Sequence, residues 1–435
     1  MRFYITTLGC PKNTVDSEMM SELLRQAGHL PVGQMQDADV LIVNTCGFIE
    51  AAREESYGVL EELAAIKGRR QRLVVAGCLA QRYGEKIRRR VPGVDAIIGT
   101  RSWPEIVDLF TRLDQPGRDR TMVLRREGNL VTSVRRHAQS GSTAYVKIAD
   151  GCDASCSFCA IPLIKGRQQS KPPEEIVREV GELTAEGVRE IILIAQNTTA
   201  YGRDLGMRDA LPDLLRRIAE VSPAPDWIRL LYAYPQDVSP ALIEAMATLP
   251  AVCHYLDLPL QHAHPDVLRR MRRPYDMDRV YDLITTLQKA MPDLSLRSTF
   301  IVGFPGETEA EFEALLDFMA EIAFDKLGVF AYSAEEDTPA ATLPDRVPPE
   351  VIAERYERAM LLQQDISLFR NREQVGEVLP VLIEGSEEGL SLGRSYRDAP
   401  EIDGVVLIPG DYPPGEFVRA RIVEAQAYDL VGEVE

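Results

Sequence analysis

The stretch from residue 151 to 162, GCDASCSFCAIP, is the most informative part of this chain for its fold, because it places three cysteines within eight residues. The spacing CxxxCxxC lets three thiolates converge on one side of a short loop. Structural zinc sites take four protein ligands, and no fourth Cys or His lies close by in sequence. A [4Fe–4S] cluster held by three thiolates instead leaves one iron free to bind another molecule. Structural cysteines, or a zinc site closed by a remote ligand, are the alternatives.

The composition describes a globular protein of two or three domains, with 435 residues, 45% of them hydrophobic and 27% charged. No run of 18 apolar residues is present to span a membrane, and the amino terminus reads as a strand and not as a signal peptide. We therefore expect a cytoplasmic protein, in which seven cysteines favour metal binding or catalysis over disulfides. With a net charge of −18, a nucleic-acid partner would require the basic residues to be concentrated in one patch.

Residues 1–110 alternate β-rich runs with helical patterns, which predicts a doubly wound parallel sheet. The strand candidates are FYITTL, VLIVNT and LVVAG. The segment DSEMMSELLRQAG has helical periodicity, with Asp16 as its expected N-cap and Gly28 as its expected end.

Three more cysteines, Cys10, Cys46 and Cys78, each fall at the carboxyl end of one of these strands. Ligands of open parallel sheets bind at that edge, so three thiolates far apart in sequence can meet there. The sequence thus predicts a second three-cysteine metal site. The alternative is three separate buried core cysteines.

Three further segments complete the predicted α/β organisation. Residues 111–140 are polar and are expected to form a linker. Residues 141–371 contain six βα units, which predict a partial (β/α)6 barrel with its catalytic groups at the carboxyl ends of the strands. Within it, Thr308 and Glu311 form a predicted capping box at the start of a helix. Residues 372–435 contain about five short strands, which predict a small antiparallel β-barrel.

Five motifs resemble those of the methylthiotransferases, a group of radical S-adenosylmethionine (SAM) enzymes, over essentially the whole chain. They are TLGCPKNTVDSE, VNTCGFIE, VAGCLAQR, GCDASCSFCAIP and FIVGFPGETE. The resemblance implies a transfer of CH3–S to an unactivated carbon, with one SAM supplying the methyl group and another the radical. It also implies a TRAM-like C-terminal barrel and two [4Fe–4S] clusters, with no catalytic residue beyond their ligands. The first cluster, with the extra sulfur beside it, is held by Cys10, Cys46 and Cys78. The second, which binds and cleaves SAM, is held by Cys152, Cys156 and Cys159.

The resemblance also implies side chains that surround SAM at the ends of the barrel strands. These cofactor-binding candidates are Phe158, Gln196, Asn197, Gln261, His262 and Gly303. Phe158 matches an aromatic position beside the adenine, the Gln–Asn pair a position at the methionine end, and the Gln–His pair one near the ribose. The alternative for these four polar residues is a place on the rim of the barrel, and for Gly303 a tight strand-to-helix turn.

The charge of the C-terminal barrel bears on the substrate, because some members of the family modify an adenosine of transfer RNA and others an aspartate of ribosomal protein S-twelve. Residues 373–435 hold 14 acidic and four basic side chains, a net charge of −10 within the −18 of the chain. Such a surface should repel RNA and attract a basic protein. We therefore expect β-methylthiolation of an aspartate in S-twelve of the small subunit, as the free protein or within the assembled subunit, with an electron donor such as a flavodoxin-type protein and no membrane partner.

The motifs YLDLPLQH, LRSTFIVGFPGETE, YSAEEDTPA and RDAPEIDG also resemble the protein-modifying branch. One departure is Asp337, where that branch commonly has glycine. Aspartate tolerates the left-handed backbone region, so the turn is expected to survive. The alternative function is a tRNA adenosine methylthiotransferase, which predicts salt-sensitive RNA binding. A non-catalytic iron–sulfur scaffold is a second alternative, which predicts no cleavage of SAM.

Overall fold

The computed structural model describes residues 1–113, 122–123, 134–137, 141–273 and 276–435. It confirms the predicted α/β class, with two parallel sheets followed by a closed β-barrel. Most of the predicted linker lies outside the described residues. In the part of the chain that is described, no helix is long and apolar enough to cross a membrane.

The N-terminal sheet has six parallel strands. They are β1 (Arg2–Thr7), β2 (Leu30–Pro31), β3 (Val40–Thr45), β4 (Arg72–Gly77), β5 (Ala96–Gly99) and β6 (Met122–Val123). The helices between and after them are α1 (Pro11–Gln26), α2 (Glu50–Ile66), α3 (Cys78–Arg90) and α4 (Ile106–Leu113). The spatial order is β2-β1-β3-β4-β5-β6, with every pairing parallel. The order reverses between β1 and β3, which is the switch point where doubly wound sheets bind ligands.

Strand β3 shows why helices cover both faces of this sheet. All six of its residues are buried. Val40 and Ile42 enter the apolar cluster formed with α1 and α4, whereas Leu41 and Val43 enter the cluster formed with α2 and α3. The period-2 alternation of a strand thus presents apolar side chains on both faces, as a parallel sheet between two helical layers requires.

The central unit is a parallel sheet surrounded by helices. Its strands are β7 (Thr143–Lys147), β8 (Ala149–Asp150), β9 (Gln169–Ser170), β10 (Glu190–Ile194), β11 (Trp227–Leu230), β12 (Val252–Asp257), β13 (Ser295–Val302) and β14 (Lys326–Ala331). Its helices are α5 (Ile161–Ile164), α6 (Pro173–Ala185), α7 (Ala210–Ala219), α8 (Pro240–Thr248), α9 (Pro265–Arg270), α10 (Met277–Ala290), α11 (Glu309–Ile322) and α12 (Pro349–Arg372). Strands β8 and β9 form a separate ribbon, and the other six form an open parallel sheet in chain order, as a partial (β/α)6 barrel requires.

The helix ends follow local sequence signals in two cases and depart from them in a third. The predicted capping box of α11 is confirmed: Thr308 Oγ1 accepts from the Glu311 N–H, and the Glu311 carboxylate accepts from the Thr308 N–H. Gly28, just beyond α1, has a φ of 83°, as expected for a helix end. The prediction of Asp16 as N-cap is wrong, because α1 already begins at Pro11, whose ring suits the first helical position.

The C-terminal unit is a closed five-stranded barrel, as predicted. Its strands are β15 (Val378–Glu387), β16 (Leu390–Ser395), β17 (Val406–Pro409), β18 (Phe417–Ala425) and β19 (Leu430–Val434). The order around the barrel is β15-β16-β17-β19-β18. Four of the five pairings are antiparallel, and β17–β19 is parallel, because β18 intervenes in the chain and pairs with β15 instead.

Buried ion pairs attach this barrel to the central sheet. Arg394, which is 1% exposed, places Nη2 at 2.5 Å from Oε2 of Glu190. Arg229 contacts Oε1 of the same carboxylate at 2.7 Å. Arg397 pairs with Asp325 at 2.6 Å. Two of the four arginines of the barrel are therefore used inside the molecule and not on its surface.

Candidate active site

Three cysteines lie at the carboxyl edge of the N-terminal sheet. Cys10 precedes α1 as its N-cap, Cys46 follows β3, and Cys78 is the first residue of α3, directly after β4. Because β1, β3 and β4 are neighbours, these residues share one edge. The first two loops touch: a Cβ built on Gly9, which has a φ of 92°, would lie 2.7 Å from the Cβ of Cys46. Only glycine fits at this close approach.

Asn13, which was not among the predicted site residues, connects these three loops. It is 1% exposed, and its Nδ2 donates to the carbonyl oxygens of Leu8 at 2.8 Å and Thr45 at 3.2 Å. Its Oδ1 lies 3.9 Å from Sγ of Cys78. One amide thus contacts the loop of each cysteine and fixes the three relative to one another. Its signal in the sequence is its place in the first turn of α1, three residues after the first cysteine.

The three cysteines of the central unit lie on the loop between β8 and α5. The Cys159 N–H donates to the carbonyl oxygen of Cys156 at 3.2 Å, so the loop turns back on itself. The N–H groups of Ala154 and Ile161 lie 3.4 Å from the sulfur atoms of Cys152 and Cys159, respectively. Such donors favour a thiolate over a thiol.

The two cysteine triads adjoin across the interface between the N-terminal and central units. Cys78 forms a small buried cluster with Ala160 and Ile164, and Ala160 directly follows Cys159. Arg101 of the N-terminal unit donates from Nε to the carbonyl oxygen of Ile164 at 2.8 Å. The triads therefore do not lie on opposite faces of the molecule, and both border the same interface.

A buried ionic network crosses this interface. Asp16 of α1 contacts Lys147 and also Lys165, the latter at 3.3 Å. Both lysines contact Asp150 as well, at 3.2 and 3.0 Å, and Gln196 Nε2 donates to Asp150 at 2.8 Å. Burial opposes the ionisation of Asp150, but the two lysines outweigh it and lower its pKa. This network was not among the predicted site features, although Asp150 stands two residues before the first cysteine of the loop.

The two triads fit iron–sulfur clusters by their donor atoms and their surroundings. Burial raises the pKa of Cys78 and of Cys159 to about 12, and it raises the pKa of Cys46 and Cys152 above the ordinary value. Free thiols in these places keep their protons, so the thiolate form needs a cation beside it, which a cluster provides. None of the six cysteines is in a disulfide. Each set offers three sulfur donors, which leaves one iron of a [4Fe–4S] cluster without a cysteine.

Among the predicted SAM contacts, Gln196 has an unused acceptor. Its Oε1 is buried and has no hydrogen-bond partner in the described residues, so a donor group of a bound molecule fits it. Gln261 is 8% exposed and has a φ of 76°, and strained backbone of this kind is concentrated at functional sites. Phe158 packs, half-buried, against a small apolar cluster that contains Phe304.

Two other candidates, Asn197 and Gly303, contact other parts of the protein in the described structure. Asn197 donates from Nδ2 to Asp237 at 2.9 Å, and its Oδ1 accepts from the N–H of Ala200 at 3.2 Å. A Cβ on Gly303 would lie 2.4 Å from Cγ1 of Ile352 on α12, so glycine is required there for packing. These contacts support the rim and turn interpretations of the two residues.

His262 is fully buried and is held by its own backbone neighbours. Its Nδ1 accepts from the N–H of His264 at 3.0 Å, and its Nε2 lies 3.6 Å from a carboxylate oxygen of Glu307. Burial lowers the pKa of His262, which favours the neutral ring, and the hydrogen bond accepted at Nδ1 leaves Nε2 as the protonated nitrogen of that form. The contacts place the ring at the end of the fourth strand of the central sheet.

Comparisons with known proteins agree with the order of these units. Residues 2–99 match a family described as uncharacterized protein family UPF0004, residues 146–319 the radical SAM superfamily, and residues 375–434 the TRAM domain. Among solved structures, the chain resembles the radical SAM methyltransferase TsrM from Kitasatospora setae, with a TM-score of 0.58 and 13% identity over 92% of this chain and 82% of that one. The likeness shows the fold. The match to the radical SAM superfamily and the cysteine loop together define a radical SAM enzyme, which uses SAM and [4Fe–4S] clusters.

Curated relatives define the family within this class. The chain is 51% identical to the ribosomal protein uS12 methylthiotransferase RimO of Chloroflexus aurantiacus, over 100% of this chain and 99% of that relative. It is 49% identical to the protein of the same name from Roseiflexus sp., over 100% of this chain and 97% of that relative. The chain belongs to the RimO family of radical SAM methylthiotransferases, which confirms the resemblance found in the motifs and does not favour the tRNA-modifying alternative.

Proposed function

We propose that this chain replaces a hydrogen on the β-carbon of an aspartate of uS12, protein S-twelve of the small subunit, by CH3–S. The observation that carries the proposal is the contact of Cys78 with Ala160, next to Cys159, which brings the two cysteine triads to one interface. The β-carbon of aspartate bears no readily acidic proton, so ordinary acid–base catalysis does not activate it at neutral pH. A radical route therefore suits this substrate.

The residues at the interface divide into two cluster sites and a cofactor site. When bound, the clusters and SAM supply a radical that removes hydrogen, together with the sulfur and the methyl group that replace it. Cys152, Cys156 and Cys159 would hold the cluster that binds SAM, and Cys10, Cys46 and Cys78 would hold the other. The free Oε1 of Gln196 would accept from a donor group of SAM, and Phe158 would border the cofactor. The packing of the two units on each other excludes water from the reacting groups.

Three functional units follow from this assignment. Residues 1–110 carry the cluster that has the extra sulfur beside it, residues 141–371 bind and cleave SAM, and residues 372–435 form the TRAM-like barrel. Helix α12, which ends at Arg372, leads into the last of these units.

The surface of the C-terminal barrel supports a basic protein as the partner. Arg394 and Arg397 are buried in ion pairs, and Arg419 and Arg421 both contact Glu435. The exposed acidic side chains of the barrel are Glu373, Glu377, Glu384, Glu387, Glu388, Glu401, Asp411, Glu416, Glu424, Glu433 and Glu435. Such a surface attracts a basic ribosomal protein at long range and repels the phosphates of RNA.

The test is modification of purified uS12 by the anaerobically reconstituted protein with SAM, with dithionite in place of a flavodoxin-type donor. One aspartate-containing peptide should gain about 46 mass units, the difference between SCH3 and H. Cys156→Ala should lose SAM cleavage, whereas Cys46→Ala should keep part of that cleavage and lose methylthiolation. Cys253→Ala is the matched control, because this buried cysteine packs in the apolar core and should leave the reaction intact.

Two results would contradict the proposal. Methylthiolation that persists in Cys46→Ala would remove the N-terminal triad from the reaction. Methylthio-adenosine in transfer RNA, with no change in uS12, would favour the other branch of the family.

A further inference from the structure

Lys12 is a buried lysine that forms no ion pair with a carboxylate of the described residues. It is 7% exposed and lies in the first turn of α1, two residues after Cys10. Its Nζ lies 3.3 Å from the centroid of the Tyr232 ring. Among the residues that the structure describes, none places a carboxylate oxygen within 4.0 Å of this ammonium, and none accepts a hydrogen bond from it. A buried ammonium group is unfavourable unless it is paired, so this one calls for an explanation.

The carboxylates nearest to Lys12 are already neutralised by other groups. Burial lowers the pKa of Lys12, and the charges of Cys10, Asp150 and Asp257 oppose this shift. Asp150, however, is shared by two lysines of the ionic network. Asp257 accepts from Arg297 Nη1 at 2.8 Å and from the Tyr232 N–H at 3.0 Å. Both carboxylates therefore already have other partners, and neither pairs with Lys12 at the interface where the two triads adjoin.

Tyr232 fixes the position of this charge. It follows β11 at the carboxyl end of the central sheet, and its φ of 63° lies in the left-handed region, which is rarely adopted by a bulky residue. Its backbone is held on both sides, since its N–H binds Asp257 and its carbonyl oxygen accepts from the Thr198 N–H at 3.1 Å. The ring makes a cation–π contact with one side of the ammonium group. Because the ammonium group has three N–H donors, others remain for a ligand.

We propose that Lys12 binds the side-chain carboxylate of the substrate aspartate and so positions its β-carbon between the two cysteine triads. The inference rests on the proposed function. The carboxyl carbon of aspartate is bonded directly to the β-carbon, so a carboxylate held two residues from Cys10 holds the reacting carbon beside it. Asparagine has nearly the same shape but no charge, and Lys12 therefore selects aspartate.

The experiment is a double-mutant cycle between Lys12 and the target residue. The binding partners are uS12 and a uS12 variant with asparagine at the modified position, each titrated with the reconstituted protein under anaerobic conditions. The wild-type chain should bind the aspartate form about tenfold to a hundredfold more tightly, as expected for a hydrogen bond between charged groups. Lys12→Met should bring this ratio close to one, and Lys12→Arg should retain most of it. Lys86→Met is the matched control, because Lys86 is an exposed lysine of the same unit, paired with Glu336.

The alternative role for Lys12 is to balance the negative charge of the thiolates around the N-terminal cluster. In that case Lys12→Met would lower the iron content or alter the absorption spectrum and leave the aspartate-to-asparagine ratio at its wild-type value, which would overturn the inference. Failure of the proposed function is a distinct result, because wild-type protein would then not methylthiolate uS12 at all. A circular dichroism spectrum that matches the wild type shows that Lys12→Met is folded, and Lys12→Arg repeats the test with the charge retained.

Discussion

Replacing Asp16 by asparagine should weaken the attachment of the N-terminal sheet to the central unit by about 3–5 kcal/mol. The residue is 1% exposed and contacts Lys147 and Lys165, with 3.3 Å to Nζ of the latter. Coulomb's law gives about 5 kcal/mol for a pair at 3.3 Å and an effective dielectric constant of about 20. Asparagine keeps the shape of the side chain but leaves two buried ammonium groups to share the carboxylate of Asp150. Removal of one partner from a buried ionic network raises the free energy of the folded state, because the remaining charge is no longer compensated.

Asp39→Asn is the matched control for this change. Asp39 also belongs to the N-terminal unit and lies at the same distance, 3.3 Å, from its partner Arg2. Its side chain is 44% exposed, however, against 2% for the side chain of Asp16. Water screens an exposed pair, so its loss should change the free energy of unfolding by less than about 1 kcal/mol.

The assay is urea denaturation followed by the fluorescence of Trp103. The chain has two tryptophans, and a Trp227→Phe background leaves Trp103 as the reporter. Its ring centroid lies 5.9 Å from Nζ of Lys147, so it senses separation at this interface. The midpoint and the slope of the urea denaturation curve give the free energy of the unfolding transition. Equal shifts for Asp16→Asn and Asp39→Asn would refute the reasoning, since burial would then make no difference.

Three further measurements test the charges described above. Arg394→Met should destabilise the docked C-terminal barrel by about 3–5 kcal/mol, because Glu190 loses one of its two buried arginines. The fluorescence of Trp227, whose ring centroid lies 4.7 Å from that of Phe417 in the barrel, reports this unfolding transition. An unchanged midpoint of the transition would contradict the prediction. Iron uptake by the apo-protein should increase as the pH rises from about 6.5 to about 8.5. The raised pKa of Cys78 means that its thiol must lose a proton when iron binds. Iron uptake that does not depend on pH would contradict this prediction. The affinity for uS12 should fall as salt is raised, whereas affinity independent of salt would remove the role of the acidic barrel.

The placement of the cysteines could be predicted because it depends on short-range patterns. An apolar run followed by a cysteine fixes that residue at the carboxyl end of a strand, and parallel neighbours bring such ends to one edge. Cys10, Cys46 and Cys78 accordingly lie at the ends of β1, β3 and β4. Asp337 is a similar case, since its φ of 65° shows that aspartate supports the left-handed turn expected at this position.

The polar groups between the triads could not be predicted, because their partners are distant in sequence. Asp16 has the residue type and position of an N-cap, but its carboxylate contacts Lys147 and Lys165, more than one hundred residues away. Helix α1 already begins at Pro11, so Asp16 lies inside the helix and its carboxylate forms these ion pairs. Lys12 is a similar case, since a lysine in the first turn of a helix is usually solvated. Its burial follows from the docking of the central unit, with Tyr232 across the interface.

Two sets of charges of opposite sign are proposed to act on the substrate: the exposed carboxylates of the barrel and the buried ammonium group of Lys12. Their contributions to binding can be measured separately. The barrel carries exposed carboxylates that attract a basic protein through water, and salt screens this attraction over about 8 Å at physiological ionic strength. Lys12 is buried, so its attraction for a carboxylate is screened far less. Added salt should therefore weaken the binding of uS12 and of its asparagine variant by the same factor, while the ratio between them stays constant. The acidic barrel repels RNA, and a basic loop without an acidic side chain offers no carboxylate for Lys12 to bind. The two interactions together therefore select an aspartate within a basic polypeptide.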